Sequence, residues 1–270
     1  MTVAASAFVG SIPEFYENGL GPIIFADFAA DIAQRAAATR PARVLETAAG
    51  TGIVTRRLRD MLPTGTHLVA TDLNPPMLEA ARGKFRPDER VQFQTADALS
   101  LPLQDASVDA VVCQFGVMFF PDKDKSYREV HRVLAPGGRY VFNVWDSPRF
   151  NPVARIAHET ISSFFPADPP PFYTVPFSYY SIDPIKQSLI DAGFAEIAIF
   201  VIPREKDIPD IAGFARALVF GNPVIDQIRA RGGVDPNHVV AAIDKALRQE
   251  FSGSPPRMPL QAIVFEAHKA

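Results

Sequence analysis

Two kinds of spacing alternate along the first half of the chain. Short, nearly unbroken apolar runs, ARVLE, HLVATD, VQFQTAD, VDAVVCQFG and GRYVFNVWD, are separated by longer stretches in which apolar residues recur three or four apart. The apolar runs predict strands covered on both faces, as in a parallel sheet, and the stretches between them predict helices. Ile53, Leu58, Met61 and Leu62 mark the core face of one helix, with Arg56, Arg57, Arg59 and Asp60 on its outer face. Asn74 is placed to cap the next, with Pro75 at the first helical position, where its missing N–H costs nothing. YREVHRVLAPGG predicts a third helix ending in a Pro-Gly-Gly turn. This alternation predicts a doubly wound α/β sheet, whose ligand sits outside the carboxyl ends of the strands.

The flanks are less regular. Residues 13–38 predict a turn at Gly19 to Pro22 and then an amphipathic helix, with Ile24, Phe28, Ile32 and Ala36 on one face. Tyr16 and Phe25 lie on either side of the turn, where they pack the helix onto the sheet or line a pocket. Beyond Trp145, residues 152–165 and SIDPIKQSLIDAGF predict helices around a Pro- and aromatic-rich segment at 166–180. AEIAIFVI and PLQAIVFEA predict a sixth and a seventh strand, with the helix of DPNHVVAAIDKALRQEF between them. The expected organisation is one domain over 1–270. Its core is about 40–147 plus strands near 195–202 and 259–267, with helical cap insertions at about 148–182 and 205–255.

Composition narrows the partners. A chain of 270 residues that is 47% hydrophobic and 21% charged has ample material for a core. Its formal net charge of −3 offers no basic excess to hold a nucleic acid. A lone cysteine, Cys113, excludes an internal disulfide framework and, set within VDAVVCQF, reads as a small buried hydrophobe. No apolar run approaches the roughly 20 residues of a membrane span. The amino terminus MTVAASAFVGSIPEF lacks a basic start and a long apolar stretch. The expectation is a soluble, cytoplasmic protein with no membrane partner, monomeric or homodimeric.

The stretch VLETAAGTG, Val44 to Gly52, joins a strand to a helix through small residues. Ala48, Ala49, Gly50 and Gly52 put almost no side chain in the way, so backbone N–H groups can approach a ligand closely. It is neither a G-x-x-x-x-G-K-[ST] loop nor a full G-x-G-x-x-G: Ala48 holds the first glycine place, and Thr55 follows Gly52 by three. Acidic residues recur at strand ends, Glu46, Asp72 and Asp97, at intervals of 26 and 25 residues. A carboxylate such as Asp72 can accept from both ribose hydroxyls, and Asp97 from an exocyclic amino group. Glu46 beside the loop would repel a pyrophosphate and favour a ligand with an ammonium or sulfonium charge.

Together, VLETAAGTG, TDLNPPML, TADALSLPL and REVHRVLAPGGRYVFNVWD resemble, in order, the motifs of class I S-adenosylmethionine-dependent methyltransferases that act on small molecules. The resemblance covers Ala42 to Trp145. It implies a Rossmann-like, mostly parallel seven-stranded sheet with an antiparallel last strand, S-adenosylmethionine as cofactor and S-adenosylhomocysteine as product. It puts Glu46 and the backbone at Ala48, Gly50 and Gly52 against the methionine part. Asp72 falls on the ribose diol, Leu73 and Met77 beside the adenine, and Asp97 with the backbone of Ala98 on the adenine edge. Gln114 falls at the amino-acid end, and Phe115, Gly116 and Met118 face the methyl group or the acceptor. Tyr16 joins the cofactor contacts through an amino-terminal segment like the covering helices of some relatives. Ala48 departs from the usual glycine, at a real cost if its φ must be positive.

Methyl transfer is an in-line displacement from an activated sulfonium, so the protein chiefly positions the acceptor and excludes water. No metal is required, and no ligand spacing for one is present. A base is needed only where the acceptor must lose a proton. His158, Asp146 and Tyr16 are the candidates by location, although a helix surface explains His158 and a capping role explains Asp146. FFPADPPPFYTVPFSYY with Phe115, Met118, Phe119 and Phe120 provides an apolar or aromatic wall for a small acceptor, or packs the insertions onto the core. Two other readings stand beside this one: a sensor or interaction protein that keeps the cofactor site, and a nicotinamide-dependent oxidoreductase, which would want the full glycine fingerprint and no acid at Glu46.

Overall fold

The computed structural model describes residues 6–270; the first five, part of the stretch considered above for a leader, lie outside the described residues. Strand β1 (Arg43–Glu46) pairs in parallel with β2 (His67–Asp72) on one side and β4 (Val108–Gln114) on the other. Strand β3 (Val91–Thr95) extends the sheet beyond β2, and β5 (Leu134–Trp145) beyond β4, again in parallel. With β6 (Phe194–Asp207) and β7 (Arg257–Lys269) the order is β3-β2-β1-β4-β5-β7-β6. This is the α/β, mostly parallel seven-stranded sheet anticipated from the sequence. Strand order reverses between β1 and β4, and in doubly wound sheets the carboxyl ends of the strands at such a reversal are where ligands bind.

Two compact units make up the chain. The sheet unit comprises Ala26–Val144, Tyr180–Ile202 and Ala262–Ala270, and the helical unit comprises the described residues up to Phe25 with Trp145–Tyr179 and Pro203–Gln261. In the sheet unit, helices α2 (Ala26–Ala37) and α3 (Ile53–Met61) pack on one face. Ile32, Ala33 and Ala36 of α2 and Val54 and Leu58 of α3 join Val44, Leu68, Ala110, Val112 and Val141 of the strands in one core cluster. Helix α4 (Pro75–Arg82) packs against β2 and β3, and α5 (Lys123–Val133) against α7 (Ile182–Asp191). Full burial of Cys113 matches its place in the apolar run of β4 and pushes its thiol up to about 11.

The helical unit contains α1 (Ile12–Phe15), α6 (Pro152–Phe164), α8 (Ile211–Phe220), α9 (Val224–Arg231) and α10 (Pro236–Glu250). Helix α10 packs on α6 and α8, and Asp235 caps its start by accepting from the Asn237 N–H at 2.9 Å. A chain of rings, Phe8, Tyr16, Phe25, Trp145 and Phe177, is in contact in sequence: Tyr16 stacks on Phe25 at 4.8 Å and Phe177 on Trp145 at 5.7 Å. Buried Asn151 ties the ends of this unit's segments together. Its side-chain amide donates to the carbonyls of Asp146 and Gln261, and its oxygen accepts from the Gln261 N–H.

Three local expectations change. Gly19 to Pro22 is not a turn; Tyr16–Phe25 is π-helical and continuous with α1 and α2. The wider spiral accommodates Pro22, which has no N–H to give to an ordinary helical ladder. Pro136-Gly137-Gly138 lies inside β5 as a bulge: the register steps from Val108 opposite Leu134 to Ala110 opposite Arg139. Asn74 precedes α4 but makes no side-chain cap; its Nδ2 donates to Asp72 at 3.2 Å, because the stronger acceptor lies two residues back.

Candidate functional site

The strand register gathers the sequence-predicted polar residues at one end of the sheet. Glu46 lies opposite Ala70 of β2 and Val112 of β4, Asp72 ends β2, and Gln114 of β4 lies opposite Asn143 of β5. Between Glu46 and α3 the small-residue loop turns through three positive φ angles, Ala48 at 52°, Gly50 at 55° and Gly52 at 78°. Gly50 and Gly52 adopt this region without strain, whereas Ala48 incurs a cost of about 1–2 kcal/mol. Gly116 explains how Ala48 fits. A Cβ built on Gly116 would stand 2.5 Å from the Ala48 Cβ, so the alanine methyl occupies room that only a glycine leaves.

Asp72 is 7% exposed and organises the loop. One carboxylate oxygen accepts from the Gly50 N–H at 2.8 Å and the other from the Asn74 N–H at 2.8 Å. The oxygen facing Gly50 keeps a further lone pair for a ligand hydroxyl, whereas the other also accepts from Asn74 Nδ2 at 3.2 Å, a contact that a diol would have to share or displace. Burial raises the Asp72 pKa, and the hydrogen bonds from Asn74 and Gly50 oppose that shift. Leu73 is exposed beside it, and Met77 is buried with its terminal carbon against Gly50. Asp97 is exposed and folds back on its own loop, accepting from the Leu99 N–H at 2.9 Å; Ala98 is half-buried.

Glu46 is almost completely buried, and its Oε2 makes no hydrogen bond. Burial pushes its pKa up to about 8, opposed by the nearby Thr55 hydroxyl and reinforced by the Asp72 charge. The Thr47, Thr51 and Thr55 hydroxyls beside the loop, and Gln114 Oε1 and Asn143 Nδ2 at the same end of the sheet, are also buried without partners. Native interiors pair nearly all such atoms, so these six at one end of the sheet make it the candidate place for a polar ligand. The donor set fits the amino-acid end of a zwitterion: Glu46 for an ammonium, and Asn143 Nδ2 with the hydroxyls for a carboxylate.

Asn143 was missed in the sequence, although a single amide within the apolar run YVFNVW was a usable signal. Its Oδ1 accepts from the Phe115 N–H at 2.9 Å, fixing a residue whose own φ is 50°. Phe115 and Met118 are buried in the turn after β4, and Phe115 meets Phe28 edge to face at 5.6 Å. Tyr16, Asp146 and His158 belong to the helical unit. Tyr16 stacks on Phe25 there. Both Asp146 oxygens are engaged, one with the Ser147 N–H at 2.6 Å and one with Gln261 Nε2 at 2.7 Å. His158 is half-buried on α6 with its Nδ1 inside and unpartnered.

Known proteins resemble this chain in sequence and in fold. Residues 45–142 match the family described as "Methyltransferase domain". The chain is 40% identical over 128 residues to a demethylmenaquinone methyltransferase of Thermus thermophilus, covering 46% of this chain and 58% of that one. It is 30% identical over 168 residues to the ubiquinone/menaquinone biosynthesis C-methyltransferase UbiE of Pasteurella multocida, covering 57% and 63%. The chain spans about half the length of the curated relatives it matches, from 42% to 63% for these two and two more. Among solved structures, the YcgJ protein of Bacillus subtilis has the same fold, with a TM-score of 0.58 at 20% identity over 90% of this chain and 98% of that one. Sheet order, motif order and these matches agree in one respect: residues 45–142 are similar to the methyltransferase domain family.

Proposed function

We propose that this chain transfers a methyl group from S-adenosylmethionine to a small, apolar or aromatic acceptor. The observation that carries the reading is the set of buried, unpartnered polar atoms, Glu46 Oε2 among them, at the end of the sheet where a carboxylate already orders the glycine loop. In this reading Glu46, Gln114 and Asn143 hold the amino-acid end of the cofactor, and the backbone of Ala48, Gly50 and Gly52 closes on it. Asp72 accepts from the ribose hydroxyls. Leu73 and Met77 form the apolar wall of the base, and Asp97 with the backbone of Ala98 reads its edge. When bound, the cofactor supplies an electrophilic methyl on a sulfonium, and the chain's residues orient it and keep water away. Phe115 and Met118 shape the end of the site that faces the acceptor.

The names of the relatives give the acceptor class to try first, a ring carbon of a quinol, which fits an apolar acceptor. No residue is assigned as base: the two Asp146 oxygens accept from Ser147 and Gln261, bonds that serve to hold its own unit together. Calorimetric titration with S-adenosylmethionine and S-adenosylhomocysteine, with NADH as control, tests the reading. Saturable binding of the adenosyl compounds is expected, weakened more than tenfold in Asp72→Ala, the scale of about 1.5–3 kcal/mol for a hydrogen bond to a charged group. Unchanged affinity in that variant removes the ribose assignment. Turnover with a quinol, measured by mass gain of the acceptor, then separates a methyltransferase from a cofactor sensor.

A further inference from the structure

We propose that Glu46 is a proton-exchange site, neutral in the free protein and ionised when an adenosyl ligand brings an ammonium group, so that the loop selects ligands with an intact amino-acid end. This deepens the cofactor reading above and rests on it. The geometry has three parts. Glu46 is 2% exposed, and among the described residues no cation forms an ion pair with it. Its neighbours across the sheet, Ala70 and Val112, are apolar, so the strands offer its charge no solvation. Asp72, at the end of the adjacent strand, is held by the backbone N–H groups of Gly50 and Asn74, which fix a second carboxylate nearby.

The groups that act on Glu46 come from each surrounding element. Asp72 from β2 disfavours its charge, Lys84 beyond α4 favours it, and the Thr55 hydroxyl and backbone of α3 favour it. Cys113 of β4 stays a neutral thiol at ordinary pH because its burial disfavours the thiolate. Two carboxyl groups in so dry a setting do not both ionise readily, and the one with the weaker set of hydrogen-bond donors keeps the proton. With burial pushing Glu46 up to about 8, most of the molecules carry its proton at pH 7.

Binding then exchanges one cation for another. The Glu46 carboxyl loses its proton to the buffer, the carboxylate accepts hydrogen bonds from the ligand ammonium, and no bond within the ligand changes. A ligand with the same nucleoside and sulfur but no amino-acid end has nothing to drive that ionisation.

The experiment is calorimetry of S-adenosylhomocysteine near pH 7 in phosphate, HEPES and Tris buffers, whose ionisation heats differ. The slope of observed heat against buffer heat counts protons. Release of the greater part of one proton per ligand is expected, falling towards zero well above pH 8. 5′-Methylthioadenosine is expected to bind with a slope near zero, and Glu46→Gln, of the same shape as the protonated acid, to bind S-adenosylhomocysteine with no release. Binding with equal heats in all buffers overturns the proposal while leaving the cofactor reading intact. Equal release by 5′-methylthioadenosine, or full release by Glu46→Gln, also overturns it. If neither adenosyl compound binds, both fall. Should Glu46→Gln fail to fold, the contrast between the two ligands on the wild-type protein decides.

Discussion

Gly116→Ala is the sharpest perturbation of the loop geometry. Gly116 has an ordinary φ of −95°, so an alanine there meets no backbone strain, and the effect is purely steric. The added Cβ would come within 2.5 Å of the Ala48 Cβ and 2.8 Å of Cys113 Sγ, distances at which something must move. Overfilling a packed interior costs about 1–3 kcal/mol. Ala48→Gly removes the closer of the two contacts. Alone it is near neutral: relief of a left-handed alanine, about 1–2 kcal/mol, is offset by about 0.4–1 kcal/mol of chain entropy and about 0.8 kcal/mol of lost methyl packing. The double variant is therefore expected to recover part of the loss, with a coupling of about 0.5–3 kcal/mol. Urea denaturation followed by far-ultraviolet circular dichroism measures all four proteins. Gly116→Ala unfolding at the wild-type midpoint, or Ala48→Gly giving no rescue, would refute the claim that these two residues share one space.

The remaining predictions concern other groups. Because the folded pKa of Glu46 lies above its unfolded value, its contribution to stability is full below about pH 4.5 and is lost as pH rises to about 8. Glu46→Gln should flatten that decline in unfolding free energy, and an unchanged slope between pH 5 and 8 would contradict the assignment. Asn151→Ala leaves Asp146, Gln261 and their neighbours with unpaired buried groups and should cost about 2–3 kcal/mol, read as a drop in urea midpoint. His158→Ala should leave methyl transfer largely intact; a collapse of rate with normal cofactor affinity would make His158 the base.

The sheet was legible because its strands are covered on both faces, and a near-continuous apolar run as short as VDAVVCQF suits little besides a buried strand. Glu46 and Asp72 were legible for the related reason that acids at consecutive strand ends share one edge. Gly19–Pro22 and Pro136–Gly138 misled because glycine and proline mark any irregular backbone; whether that becomes a turn, a π-helical stretch or a bulge is decided by neighbours distant in sequence. Asn74 illustrates the same limit at one side chain. Its capping pattern is local, but Asp72, held by the glycine loop, competes for its amide. Asn143 needed the register of β4 and β5 before its position beside Gln114 could be seen.

Strand β6 has a consequence for handling the protein. It is 14 residues long, lies at the outer border of the sheet, and leaves Phe200 and Val201 exposed. From Pro203 onward the strand carries Arg204, Glu205, Lys206 and Asp207, which discourage another chain from adding to it. Ile197 to Ile202 has no charged residue and no proline. Concentrated or partly thawed samples should therefore lose material first through intermolecular strand addition at this segment. A single lysine at Val201, which projects into solvent, is the change that would lengthen storage life without touching the glycine loop.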